Sequence, residues 1–167
     1  MCIRDSNSYL LDDLLEIEFF GQLSDRMNVI KILDDELAHV SSEQALDTIR
    51  KRNKRWNFQA DIHLLEAITK PSEIMRFRSE VASACLYQIT YFASQDFALR
   101  HGNIHASLEI IALGRLATNS LTAQSDLDLI FVYEGQLDDI SNGAKPLGLS
   151  SYFIRLTQLI TSWMSLK

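Results

Sequence analysis

Residues 107–133 read SLEIIALGRLATNSLTAQSDLDLIFVY, two apolar β-rich runs separated by a glycine and a polar connection. The first run, SLEIIAL, stops at Gly114, and the second, SDLDLIFVY, opens with two aspartates one residue apart. Side chains alternate along a strand, so Asp126 and Asp128 share one face, which Ile130 and Val132 are expected to continue into the core. Leu127, Leu129, Phe131 and Tyr133 line the other face. Two carboxylates side by side repel unless a cation lies between them, and hard divalent ions such as Mg²⁺ take oxygen ligands of this kind. The pair therefore points to a metal site at Asp126 and Asp128. The preceding connection supplies what a metal-bound phosphate needs: Gly114 for close backbone approach, Arg115 for charge, and Ser120, Thr122 and Ser125 as hydroxyl donors. A bare Asp-x-Asp is also a common solvated turn. It is the order of strand, glycine, polar loop and apolar strand that favours phosphate handling.

Upstream, from Leu10 to His101, apolar residues recur three and four positions apart, as in helices. Ile30, Leu33, Leu37 and Val40 form one stripe of an amphipathic helix. Ser41 and Gln44 stand at capping-box spacing, and Lys70-Pro71-Ser72 marks a helix boundary. The run from Glu73 to Arg100 has neither Gly nor Pro, and Gly102 is its expected cap. Downstream, the turn-rich EGQLDDISNGAKPLG leads into a final helix with Phe153, Leu156, Leu159, Ile160 and Trp163 at helical spacing. The fold class is α+β: a mainly helical region, residues 9–101, followed by an α/β element, residues 102–167, of two short strands plus a helix. The first eight residues, MCIRDSNS, lack an apolar signal core and resemble a translated sequencing adapter, a non-native leader outside the fold.

With 167 residues, 47% hydrophobic and 23% charged, the chain can bury a sizeable core. Its net charge of −6 provides no global field for nucleic acid or an anionic membrane, so phosphate must be held locally. No apolar stretch approaches the roughly 20 residues that span a bilayer. Cys2 and Cys85 are too few for a disulfide framework and have no metal-ligand spacing, which suits the cytoplasm. The basic run Arg50 to Arg55 reads as a solvated helix face. Trp56, Phe58 and Trp163 read as core, Cys85 as a buried small hydrophobe.

The stretch IIALGRLATNSLTAQSDLDLIFVY resembles the signature of the DNA polymerase β-type nucleotidyltransferases, in which a glycine turn precedes a strand bearing Asp-x-Asp. More closely it resembles bacterial glutamine synthetase adenylyltransferase, whose pattern runs Gly-(Lys/Arg)-Leu-Gly-Gly-Arg-Glu, a spacer, then Ser-Asp-hydrophobic-Asp-Leu. Gly114, Arg115, Leu116, Ser125, Asp126, Asp128 and Leu129 match it. The similarity extends through LLDDLL, KRWNFQADIHLLEAI, FALRHG and YFIRLTQLITSWM, covering most of the chain after the leader. Ala117 and Thr118 depart from the two usual glycines, and Asn119 and Ser120 from the Arg-Glu pair.

The resemblance implies a nucleotidyltransferase that moves AMP from ATP to a tyrosine of glutamine synthetase, or removes it by phosphorolysis. Asp126 and Asp128 are then catalytic metal ligands for Mg²⁺, and Gly114, Arg115 and Ser125 hold phosphate. Glutamine synthetase is the implied partner, with the PII regulatory protein acting through the full-length enzyme. The spelling LTAQSDLDLI resembles the AMP-adding copy of the two such domains in the family. The superfamily's third carboxylate lies in an Asp-x-Arg-x-Arg-Pro motif that this sequence lacks, so the expectation is an incomplete, inactive domain whose last helix leaves an apolar face uncovered. Two alternatives stay open: another enzyme of the superfamily, such as PII uridylyltransferase, and a non-catalytic helical interaction module.

Overall fold

The computed structural model describes residue 10 and residues 12–165; the adapter-like leader lies outside them. Two short 3₁₀ turns, Asp13–Leu15 and Ile17–Phe20, precede three helices: α1 (Arg26–Leu37), α2 (Ser42–Leu65) and α3 (Pro71–His101). Each helix starts where its sequence carries a start signal. The Asp25 carboxylate accepts from the Asn28 N–H at 2.9 Å. Ser41 and Gln44 form the expected capping box, with the Gln44 N–H donating to Ser41 Oγ and the Ser41 N–H donating to Gln44 Oε1. Pro71 opens α3, where its missing N–H costs no helical bond. At the far end Gly102, at φ +73°, turns the chain out of the helix.

The three helices close on one apolar core. Val29 and Leu33 of α1, Ile49 and Trp56 of α2, and Ile74, Phe77 and Val81 of α3 are buried in it, as is Cys85. Burial pushes the Cys85 thiol up to about 12. The 3₁₀ segment is tied to α2 by polar contacts: Gln59 Nε2 and His63 Nε2 both reach the Phe19 carbonyl, at 2.8 and 2.9 Å. The run Arg50 to Arg55 is less solvated than its sequence suggests. Arg52 pairs with Glu36, and Arg55 pairs with Asp13 and Glu16, so part of the run clamps α1 and the 3₁₀ segment to α2. Arg78, buried on α3, reaches Asp61 at 2.6 Å.

After α3 the chain forms an antiparallel pair, β1 (Ala106–Ala112) and β2 (Leu129–Gly135), in the register Ala112↔Leu129 through Ala106↔Gly135. Between them lies a single helical turn, α4 (Gly114–Ala117), and beyond them α5 (Leu149–Ser165). The apolar face of α5 carries Tyr152, Phe153, Leu156 and Ile160, all buried in the same core as the first three helices. The expectation that the last helix leaves this face uncovered is therefore corrected: α3 covers it. Phe97 packs edge-on against Tyr152 at 4.9 Å, and Tyr152 Oη donates to the Gly102 carbonyl at 3.1 Å.

The strand expectation needs two corrections. β2 starts at Leu129, so Asp126 and Asp128 lie in the extended segment just before it. Their face also does not run into the core. Leu108 of β1 and Phe131 of β2 pack against the helices, while Ile111, Ile130 and Val132 are 43 to 47% exposed. A two-stranded sheet covered by helices on one side leaves its other side open, and here the open side is the aspartate side.

Candidate functional site

The site is built around the chain reversal between the strands. The Leu113 N–H donates to the Asp128 carbonyl at 2.8 Å, extending the ladder by one bond and placing Gly114 directly beside Asp128. Gly114 sits at φ +55°, and a Cβ there would come within 2.7 Å of Asp128 Oδ2. Glycine serves two needs at once, the left-handed backbone and the room for a carboxylate. From the sequence this freedom is expected to serve phosphate approach; the neighbour the structure supplies is Asp128.

From Gly114 the turn α4 buries Leu116, and the polar connection between the strands is internally bonded. The Ser120 N–H donates to the Arg115 carbonyl at 2.8 Å, and Thr118 Oγ1 lies 2.7 Å from Ser120 Oγ. Asn119 takes φ +52°, a conformation asparagine tolerates better than most residues. Further on, the Thr122 N–H donates to Ser125 Oγ at 3.0 Å, the two hydroxyls lie 2.9 Å apart, and Arg115 Nη1 donates to Thr122 Oγ1 at 3.3 Å. Ser125 is thus committed to its own loop, while Asp126 and Asp128 are exposed and, among the described residues, their carboxylates make no ion pair or hydrogen bond.

All five residues singled out from the sequence, Gly114, Arg115, Ser125, Asp126 and Asp128, line one open concavity of about 590 Å³, together with Thr122 and Gln124. Among the described residues no group of three or more His, Cys, Asp or Glu is gathered as a metal cluster. Two exposed carboxylates separated by one residue nevertheless form a hard-oxygen donor set suited to Mg²⁺, which binds through one or two carboxylates and keeps several waters.

One contact was not legible in the sequence. Ser79 of α3, fully buried, accepts the Leu121 N–H at 3.1 Å while donating its own proton to the Met75 carbonyl at 2.9 Å. Its only sequence signal is a small polar residue on the face of α3 opposite Ile74, Phe77 and Val81.

The sequence profile of the glutamate-ammonia ligase adenylyltransferase family matches residues 3–167. The chain is 31% identical over 156 residues to a protein of Bradyrhizobium sp. (strain ORS 278) named bifunctional glutamine synthetase adenylyltransferase/adenylyl-removing enzyme, covering 92% of this chain and 16% of the relative. Proteins of the same name from Mesorhizobium japonicum and Brucella suis are each 30% identical, over 94% and 95% of this chain and 16% of their own lengths. The chain thus spans about one sixth of the curated relatives it matches, and the uridylyltransferase alternative is not favoured. Among the described residues no helix is long and apolar enough to cross a membrane. With the profile covering nearly the whole sequence, the chain belongs to the glutamate-ammonia ligase adenylyltransferase family.

Proposed function

We propose that this chain contributes the nucleotide-binding half of a site that transfers AMP between ATP and a tyrosine of glutamine synthetase, with residues 102–167 as the nucleotidyltransferase element and residues 9–101 as its helical support. The observation that carries the reading is the meeting of Gly114, Arg115, Ser125, Asp126 and Asp128 around one open concavity. The names of the relatives support the substrate and the partner.

In the reaction the tyrosine oxygen attacks the α-phosphorus of ATP, the bond to the bridging oxygen breaks, and pyrophosphate departs with the electron pair. Asp126 and Asp128 would hold Mg²⁺, which supplies charge neutralisation at the phosphate oxygens. Arg115, at the rim, contributes a guanidinium to the same oxygens. The Thr122–Ser125 bonds fix the segment from which Asp126 projects, so the carboxylate need not be ordered when the nucleotide arrives. A cytoplasmic setting and regulation through PII in the full-length enzyme accompany this reading.

The test is calorimetric titration of the chain with ATP in the presence and absence of Mg²⁺. Binding that requires Mg²⁺ and is lost in the Asp126→Asn/Asp128→Asn double variant is the expected result. Equal affinity in wild type and double variant overturns it.

A further inference from the structure

The loop that presents Ser125 and Asp126 runs from Thr118 to Asp128 without regular structure. A loop of this kind needs fixed points if its carboxylates are to hold one position. One end is fixed by the Leu113–Asp128 backbone bond. The middle is fixed by something remote: Leu121, with only 4% of its surface exposed, is inserted toward α3, and its N–H donates to Ser79 Oγ. Ser79 lies 42 residues earlier in the chain. Its hydroxyl proton is already given to the Met75 carbonyl, leaving its lone pairs to face the loop.

We infer that Ser79 is a positioning residue for the site, an acceptor built into α3 that sets the Thr122–Asp126 segment on its register. The claim rests on the nucleotide-binding reading above only for its consequence, not for its geometry. The bond is strong in context because both partners are buried: an N–H deprived of its acceptor there has no water to turn to. It is also selective. Ser83, one helical turn further on, makes the same kind of i−4 bond, to the Ser79 carbonyl at 2.8 Å, but accepts nothing from the loop. Ser83 thus carries the helix bond without the loop contact, and it serves as the internal control.

The experiment compares wild type, Ser79→Ala and Ser83→Ala by amide hydrogen exchange and by titration with Mg²⁺ and ATP. Ser79→Ala is expected to speed exchange of the amides of Leu121 to Ser125 by about tenfold, the scale of one buried hydrogen bond, with the amides of α3 between Phe77 and Cys85 unchanged. The affinity for Mg²⁺ with ATP is expected to fall by a similar factor. Ser83→Ala is expected to alter neither. Unchanged loop exchange in Ser79→Ala overturns the inference, and so does acceleration spread equally over α3, which marks a merely structural role. A freed loop with undiminished nucleotide affinity also overturns the positioning role. Should the wild-type chain bind no nucleotide while Ser79→Ala still frees the loop alone, the anchor stands and the nucleotide reading falls.

Discussion

At Gly114 one absent methyl group separates a usable carboxylate from a blocked one. Gly114→Ala places a Cβ 2.7 Å from Asp128 Oδ2 at a φ of +55°, so it strains the backbone and displaces the carboxylate together. A cost of about 1–2 kcal/mol in stability is expected from the left-handed backbone alone, with loss of Mg²⁺-dependent nucleotide binding beyond what Thr118→Ala produces. Denaturant melts paired with calorimetry check both. Cys85 tests the interior. With its thiol pushed up to about 12, only about one molecule in ten thousand carries a thiolate at pH 8, so iodoacetamide should label it at the rate of unfolding. Asp13 gives the pH dependence. Burial holds its carboxyl above the usual 3.8, against the pull of Arg55. A carboxyl raised on folding favours the folded state while protonated, and that contribution is lost as pH climbs through the folded value. Asp13→Asn should therefore flatten this part of the stability curve in urea titrations between acid and neutral pH.

Among the elements, those with punctuation were legible and those defined by long-range neighbours were not. The Ser41–Gln44 box, Pro71 and Gly102 mark helix ends by local chemistry, and the helices begin and end there. The alternation in SDLDLIFVY separates two faces but does not say which turns inward. Ile130 and Val132 are as apolar as Leu129 and Phe131, and only the position of the helices decides. The candidate site residues were legible because they are close in sequence, whereas Ser79 was hidden by its separation from Leu121. The junction of α3 with the loop before α5 offers a test of an element's end. A Cβ on Gly102 would lie 2.2 Å from the Gly143 nitrogen, and φ is +73°. Gly102→Ala should cost about 2 kcal/mol or more, read as a shift in Tm, while Ser41→Ala should cost about 1 kcal/mol.

In the molecule as a whole, one core joins helices and hairpin: Leu108 and Phe131 pack against the cluster that holds Leu33 and Trp56. The site is thus mounted on a rigid base, with α3 touching it through Ser79. Positioning and charge stabilisation supply most of the catalysis in transfers of this type, and, with Asp126 and Asp128 as proposed, two exposed carboxylates with no third gathered beside them among the described residues are a partial supply. On the proposed reading the 167-residue chain should therefore bind Mg²⁺ with ATP yet transfer negligible labelled AMP to glutamine synthetase. Robust transfer by this chain would show that its own residues complete the site.

The open side of the hairpin also governs how the protein behaves in a tube. In a sheet of two strands each strand keeps a lateral row of amide and carbonyl groups without a ladder partner in that sheet, and Ile130 and Val132 flank that row with half-exposed apolar surface. Such margins template intermolecular pairing. Turbidity and sedimentation should rise with concentration, and Val132→Lys, which sets a charge on the same margin, should keep the chain dispersed without touching its core.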